Sequence, residues 1–235
     1  MLVLGATGMV GAAVVRAFAA QGASVAVHGH RNAAAAQQLA TEVSAEHEVK
    51  TVAVKGDVTD PAAMGAVRET VQSAGFPAID VLVSCVTGYG GQPAGVAQLD
   101  VADFRRVLDV DLTGAFVAIQ ALLPLLHAAG DARIVLFSSL AGVRGRPGAA
   151  HLCAAKAGVH GLTLALAREL GPQGIRINCL APGPVLPPGV DPPPGIPDSQ
   201  IGISHPEQVA AAALTLAAAT APVTGQLLVV NGGRP

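Results

Sequence analysis

The first 22 residues, MLVLGATGMVGAAVVRAFAAQG, constrain the fold more than any other stretch of the chain. A short apolar run precedes a glycine-rich turn, and an alanine-rich pattern then predicts a helix. Glycines in such a turn let the backbone bend sharply, and the amides that open the helix can bind a diphosphate. A glycine pattern alone is a weak signal, but its place between the first strand and the first helix strengthens it. The turn residues expected to face such a ligand are Gly5, Thr7, Gly8, Met9, Val10 and Gly11.

The same alternation of a short apolar strand and a helix continues along the chain. Six such units and a closing strand predict an α/β fold, a Rossmann-like doubly wound parallel sheet with helices on both faces. We expect seven strands in the order 3-2-1-4-5-6-7. A hydrophobic content of 51% suits a buried parallel sheet. No repeat or linker is visible, so residues 1–235 are expected to form one domain.

Composition and charge limit the kinds of partner that we expect for this protein. The formal net charge is −2 and the charges are scattered, which argues against nucleic acid and against an anionic membrane surface. Cys85, Cys153 and Cys179 stand in apolar runs without CxxC spacing, so neither a disulfide nor a metal site is expected. No secretory signal is visible before the first strand, and we expect no apolar run that avoids polar residues long enough to span a bilayer. We therefore expect a cytoplasmic protein with a small-molecule substrate.

A second informative stretch, SSLAGVRGRPGAAHLCAAK, runs from Ser138 to Lys156. Two serines close an apolar strand pattern, a Gly/Pro loop follows, and a helix of small residues then carries the lysine. This segment resembles the active-site segment of the short-chain dehydrogenase/reductase family. There a serine, a tyrosine thirteen residues later and a lysine four further on act together. The resemblance assigns the serine to Ser139 and the lysine to Lys156, but it places Leu152 at the tyrosine position.

The resemblance covers the whole chain and is nearest in wording to bacterial pteridine-reductase-like members, as in HGHRNAAAA and APGPVLPP. It implies a nicotinamide dinucleotide on the glycine turn. The second strand ends at Arg31 without an acidic residue, which favours a 2′-phosphate and hence NADP over NAD. A solvated arginine at a helix start is the alternative. The other cofactor contacts that the resemblance implies are Asp57, Val58, Cys85, Val86, Lys156, Pro182, Gly183 and Val185.

Leu152 changes the expected chemistry because it has no proton to give. General acid catalysis contributes about 10²- to 10⁴-fold, so ketone reduction by the family's usual route should be severely weakened. Asp111 stands where family members carry an asparagine that helps a water chain reach the lysine, and it could pair with Lys156. Tyr89 matches by position an aromatic residue that stacks on the pterin ring in pteridine reductases. An aromatic residue that pins its own loop is an equally good interpretation of Tyr89.

Three hypotheses remain open at this point. The first is a reductase of a small cyclic carbonyl or imine, with Tyr89 or His151 as a substitute acid or with a substrate that needs none. The second is a cyclase, isomerase or dehydratase that uses Lys156, Ser139 and Asp111. The third is a catalytically silent binding or partner protein. The first is favoured because the cofactor positions are mostly kept.

Two helical patterns, residues 101–129 and 151–170, are apolar on most of their faces. A helix of this kind needs cover on both sides, and a sheet covers only one. The family resemblance implies that a second subunit covers the other side. We therefore expect a homodimer or a homotetramer built through these two helices.

Overall fold

The computed structural model describes residues 1–187, 189–190 and 202–233. Seven strands form one sheet in the order β3-β2-β1-β4-β5-β6-β7, and every neighbouring pair is parallel. This arrangement confirms the predicted fold class and strand order. The strands are β1 Leu2–Leu4, β2 Val25–Gly29, β3 Thr51–Lys55, β4 Val81–Ser84, β5 Ala132–Phe137, β6 Ile175–Pro182 and β7 Leu227–Val230.

Eight α-helices lie on the two faces of the sheet within the described residues. Several begin at a side chain that accepts a hydrogen bond from a first-turn amide: Asn32, Asp60, Asp100 and Ser139. Such caps satisfy donors that a helix start leaves unpaired. The helices are α1 Met9–Ala19, α2 Ala33–His47, α3 Pro61–Ser73, α4 Val101–Leu108, α5 Gly114–Ala128, α6 Leu140–Arg144, α7 Ala150–Leu170 and α8 Pro206–Ala217.

The core has two halves because side chains alternate between the faces of each strand. Leu2 and Leu4 of β1 pack in the half that contains the buried residues of α3, α5 and α7. Val3, between them, packs in the half that contains those of α1, α2 and α8. Strands buried on both faces read as continuous apolar runs, which is why the sequence pattern identified them well.

One helical run in the described part of the chain, Val101–Ala128, has the length and apolar composition of a membrane-crossing helix. The expectation that no run is long enough was therefore wrong on these criteria, because the charges of this run lie mainly before Gly114. Core helices of soluble proteins meet the same criteria. Here α5 packs against α3 and β5, and α4 packs against α7.

His28, at the end of β2, ties the glycine turn to the end of β3. Its Nδ1 accepts a hydrogen bond from the Gly5 amide at 3.2 Å, and its Nε2 lies 2.9 Å from the Gly56 carbonyl oxygen. Only the tautomer with a proton on Nε2 makes both bonds. The residue is 1% exposed, and this burial lowers the pKa of His28. The neutral ring therefore helps to hold together the loops that follow β1 and β3.

We predict that His28→Gln lowers the free energy of unfolding by about 1–3 kcal/mol, because buried backbone groups lose a well-placed partner. A lowered pKa in the folded state means that this contribution is complete above the unfolded pKa of 6.5. It is lost as the pH falls from there towards the folded value. Urea unfolding at about pH 7.5 and about pH 5 measures this, and the wild type should lose more stability than the variant between them. An equal loss in both proteins would contradict the assignment.

Candidate active site at the carboxyl ends of the strands

The residues singled out from the sequence meet at one edge of the sheet, where β1, β4 and β5 end and where α1, α6 and α7 begin. Parallel α/β sheets bind their ligands at this edge, beside the strand at which the order reverses. A cavity of about 370 Å³ lies elsewhere, among Met1, Phe18, Lys50, Phe76 and their neighbours, and contains none of the candidate site residues.

The glycine turn lies directly against the end of β4. Gly5 has a φ of +69°, and a Cβ added there would come within 3.1 Å of the Cys85 and Val86 backbone. A Cβ on Gly11 would lie 2.3 Å from the Gly5 carbonyl oxygen. Glycine is thus required at both positions by close approach of backbone to backbone. Burial raises the pKa of the Cys85 thiol to about 12, so this cysteine stays protonated.

The start of α1 has the features of an anion-binding helix end. Gly8 is its N-cap and provides no side-chain cap, and the first turn carries no acidic residue. Thr7, Gly8 and Met9 are exposed, and Met9 exposes 44% of its surface. The Met9 side chain therefore does not fill the core beneath the turn. The positive end of the helix dipole faces solvent here.

Three charged or ionisable groups cluster at the ends of β2 and β3. Asp57 accepts hydrogen bonds from the amide and the hydroxyl of Thr59, at 2.9 and 2.8 Å. The hydrogen bond from the Thr59 amide is the main cause that lowers the pKa of Asp57, and His30 and Arg31 add smaller electrostatic effects. His30 Nε2 lies 3.6 Å from Asp57, and Arg31 is exposed. The structure thus brings Arg31, His30 and Asp57 to one place.

The neighbouring Val58 packs under the start of α5. A Cβ added to Gly114 would lie 2.7 Å from a methyl group of Val58, so this glycine permits the contact. Val58 is buried. It therefore joins the end of β3 to the helical run that carries Asp111.

Lys156 is the most heavily engaged residue of the site. Its Nζ lies 3.0 Å from Asp111 Oδ2, 3.0 Å from the Phe137 carbonyl oxygen and 3.3 Å from that of Val86. The side chains of Lys156 and Asp111 are 6% and 0% exposed. An ammonium group has three N–H donors, and each has an acceptor here. The pairing of Asp111 with Lys156 expected from the sequence is thus present.

Asp111 also holds the loop after β4. Its carboxylate accepts hydrogen bonds from the Thr87 hydroxyl at 3.0 Å and from the Gly88 amide. The Tyr89 amide in turn donates to the Thr87 hydroxyl oxygen at 3.2 Å. Asp111 reaches these groups from a π-helical segment, Asp109–Thr113, between α4 and α5. A π-helical turn re-aims side chains within a helix, and here it turns the carboxylate inward.

The two adjacent serines, Ser138 and Ser139, have different roles. The Ser138 hydroxyl donates to the Lys156 carbonyl oxygen at 2.8 Å and is buried, so it fixes α7 against β5. Ser139 caps α6, and its Oγ accepts from the Ala141 amide at 3.2 Å. This bond uses the Ser139 hydroxyl oxygen as an acceptor, so the hydroxyl proton can still be donated. Ser139 is therefore the serine that can still donate to a ligand.

Tyr89 and His151 form an edge-to-face pair with ring centroids 5.2 Å apart. The Tyr89 hydroxyl and His151 Nδ1 are both buried without a hydrogen-bond partner. Leu152, next to His151, is 7% exposed and lies one helical turn before Lys156 on α7. An apolar side chain therefore stands at the position that the resemblance gives to the tyrosine.

The exit from β6 lies close to the end of β7. Gly183 donates its amide to the Val230 carbonyl oxygen at 2.8 Å, and Val185 forms an isolated bridge with Ser204. Pro182 is the last residue of β6. Most of the Pro/Gly-rich segment 189–204, which occupies the substrate-loop position by resemblance, lies outside the described residues.

Some site residues were missed at the sequence level. His28, Thr87 and Arg146 act through contacts with segments distant in the chain, and no local pattern marks them. Arg146 places its guanidinium carbon 5.9 Å from the centroid of the Tyr89 ring. Arg106 donates to the Gly88 carbonyl oxygen and pairs with Asp103. The sequence gives no signal that distinguishes Arg146, which lies over an aromatic ring, from Arg106, which pairs with a carboxylate.

The buried pair yields a stability prediction. Lys156→Met and Asp111→Leu should each lower the free energy of unfolding by about 3–5 kcal/mol, because each leaves an uncompensated buried charge. The double variant leaves none, so its loss should be smaller than the sum of the two. Urea unfolding of the four proteins measures the coupling. The exposed Lys55→Met is the control and should change stability by about 0.5 kcal/mol at most. A loss of unfolding free energy in the double variant that equals the sum of the two single losses would contradict the coupling between Lys156 and Asp111.

Comparison with known proteins supports the family indicated by the sequence. The family model described as short chain dehydrogenase matches residues 1–192. A 3-oxoacyl-[acyl-carrier-protein] reductase from Synechocystis is 32% identical over 99% of this chain and 95% of its own length. A cis-4-hydroxycyclohexanecarboxylate dehydrogenase from Sinomonas cyclohexanicum is 36% identical over 99% of this chain and 94% of its own length.

Solved structures agree. The crystal structure of a short-chain dehydrogenase/reductase from Burkholderia xenovorans superposes with a TM-score of 0.88 at 31% identity, covering 97% of this chain and 95% of the other. Similarity in sequence and in structure thus extends over nearly the full length on both sides. With the parallel sheet and the glycine turn at its carboxyl edge, these matches establish that the chain belongs to the short-chain dehydrogenase/reductase family.

Proposed function

We propose that this protein is an NADP(H)-dependent oxidoreductase with an atypical active site, acting on a small cyclic carbonyl or imine. Membership of an oxidoreductase family supports the reaction class. The observation that carries the cofactor proposal is the uncapped start of α1 behind the glycine turn, with Arg31 exposed at the end of β2. Anion-binding amides and an arginine on neighbouring loops suit a diphosphate and a 2′-phosphate.

The residues present fit the adenosine side of such a cofactor. The close backbone packing at Gly5 and Gly11 keeps side chains away from the turn that would hold a diphosphate, and Asp57 lies close enough to Arg31 to interact with it on the adenosine side. A nicotinamide ring, when bound, donates or accepts a hydride. On that side the Ser139 hydroxyl is available, whereas the Lys156 ammonium has protein acceptors for its donors.

The chain's own residues determine which substrates can be protonated. Leu152 cannot donate a proton, and the apolar surface it adds excludes water from that position. A protonated imine accepts a hydride on carbon and needs no further proton at nitrogen. For a carbonyl, the proton would come from Tyr89 or His151, which are close together and have unpaired polar atoms. A cyclic substrate is favoured because these rings form flat walls, and one relative is named for a cyclohexane substrate.

A second candidate is a protein that binds a ligand without hydride transfer, either as a non-redox enzyme or as a silent binding protein. One specific observation favours it. Lys156 gives its donors to Asp111, Phe137 and Val86, so none is free for a nicotinamide ribose unless one of these contacts opens. As a cyclase, isomerase or dehydratase, the protein would use Ser139, Asp111 and Lys156 for proton transfer.

We also propose a cytoplasmic homodimer or homotetramer assembled through α5 and α7. Phe116 of α5 and Leu164 of α7 each expose 44% of their surface, an apolar exposure that a second subunit would cover. Light scattering at micromolar concentration should give a multiple of the 23.3 kDa chain mass. The mass of a single chain would contradict the proposal.

Arg31→Ala should weaken NADPH binding by about tenfold or more and leave NADH binding within about twofold, because only NADPH carries the 2′-phosphate. Nucleotide fluorescence titration measures both affinities. Arg168→Ala is the matched control, since Arg168 is exposed near the far end of α7. Equal losses for the two nucleotides in Arg31→Ala would show that Arg31 does not select between them.

Leu152→Tyr should restore a proton donor and raise NADPH-dependent reduction of cyclohexanone by about 10²-fold or more. Leu152→Phe is the matched control because it adds the ring without the hydroxyl. Absorbance of NADPH gives the rate, and thermal melting shows that both variants remain folded. If both variants bind NADPH and neither reduces the ketone, carbonyl reduction at this site is contradicted and the second candidate is favoured.

A further inference from the structure

A cluster at the mouth of the site consists of Arg146, Tyr89 and His151. The proposed function uses Tyr89 or His151 as a proton donor and gives Arg146 no role. Arg146 lies over the Tyr89 ring, and the Tyr89 ring meets His151 edge to face. Arg146 is exposed, whereas His151 is 5% exposed. The cluster therefore runs from a cationic group in solvent to a buried imidazole.

The loop that carries Arg146 is anchored on both sides. The Arg146 amide donates to Cys153 Sγ at 3.2 Å, which fixes the loop to the first turn of α7. Two residues on, the Gly148 carbonyl oxygen accepts from the Ala94 amide at 2.8 Å. A Cβ on Gly148 would lie 2.9 Å from Pro93, so the two loops touch. Arg146 is thus held in place by its backbone as well as by the Tyr89 ring.

The charge of Arg146 is not neutralised within the described residues. Arg106, which touches the same Tyr89 loop, pairs with Asp103 and donates to the Gly88 carbonyl oxygen. No described carboxylate forms an ion pair with Arg146. The carboxylate of Asp111, which holds the loop that carries Tyr89, is already paired with Lys156, so it does not repel an incoming anion as a free charge would. The mouth of the site therefore carries a net positive group.

The inner part of the cluster contains two groups that lack partners. The Tyr89 hydroxyl and His151 Nδ1 are buried and make no hydrogen bond. Leaving such a group unsatisfied is costly, so a ligand that supplies a polar atom to either one would be stabilised. Two aromatic faces next to an apolar Leu152 suit a flat or saturated small ring better than an extended chain.

We propose that the Arg146–Tyr89–His151 cluster recognises the carboxylate of a small ring compound. The guanidinium of Arg146 presents parallel N–H donors that match the two oxygens of a carboxylate. Arg146 lies over the Tyr89 ring and is exposed, so its N–H groups can reach a ligand from solvent. The proposal rests on the proposed function only in placing the ligand at the same site, and binding does not require hydride transfer.

The sequence supplies a direct readout. Tyr89 is the only tyrosine of the chain, and the chain has no tryptophan. Intrinsic tyrosine fluorescence therefore reports on Tyr89 alone. The probes are cyclohexanecarboxylate and its neutral analogue cyclohexanecarboxamide, which are transparent where tyrosine is excited.

Cyclohexanecarboxylate should change the Tyr89 emission saturably and bind about tenfold or more tightly than the carboxamide. Arg146→Gln should reduce this preference to about twofold or less, whereas Arg144→Gln, a change at the exposed last residue of α6, should keep it. Added salt should weaken the carboxylate in the wild type and not the carboxamide. Circular dichroism confirms that both variants are folded.

Equal affinities for the two probes, a preference that survives in Arg146→Gln, or no saturable response at Tyr89 would each overturn the proposal. Displacement of the carboxylate by an equal concentration of inorganic phosphate would also overturn it, since it would indicate a general anion site. Failure of the NADPH-dependent reduction described above would leave these binding results unchanged, so the two proposals fail separately.

Discussion

The buried ion pair between Lys156 and Asp111 holds the candidate site together. It joins α7 to the π-helical turn between α4 and α5, and through Val86, Thr87 and Gly88 it also fixes the loop after β4. A buried pair of this kind is tolerated only when the remaining hydrogen-bonding capacity of both groups is satisfied. Here the lysine has three acceptors and the carboxylate has three donors. The position of Tyr89 follows from this network, since its loop has its amides tied to Asp111 and Thr87.

A second constraint lies at the glycine turn, where backbones approach too closely for any side chain. Gly5 meets the end of β4, and Gly11 meets Gly5. His28 joins the same turn to Gly56 at the end of β3. The loops after β1, β3 and β4 are therefore coupled by close backbone contacts and by one neutral imidazole on β2. The start of α1 is held open towards solvent by this arrangement, without a side-chain cap of its own.

The sequence predicted the sheet, its strand order and the glycine turn because these features depend on local patterns. Continuous apolar runs mark strands buried on both faces, and Gly5 and Gly11 mark a turn that tolerates no Cβ. The spacing of Leu152 and Lys156 likewise placed them on one helical face. By contrast, the roles of His28, Thr87 and Arg146 depend on partners distant in the chain. The hydrophobic periodicity of the sequence does not reveal such long-range contacts. The apolar content of Val101–Ala128 was also underestimated, because its charges lie near one end.

The two unusual positions of the site, Leu152 and Asp111, are physically linked. A lysine beside a tyrosine hydroxyl must keep a donor free to lower the pKa of that hydroxyl. Without a hydroxyl at position 152, a donor directed there would be buried against an apolar side chain and left unpaired, which is costly. Asp111 removes this cost by accepting a Lys156 donor directly and by compensating its charge. An asparagine at position 111 would leave the buried ammonium without a counter-charge. The leucine and the aspartate therefore form one coherent arrangement, in which the contacts of Lys156 are those of a structural cation.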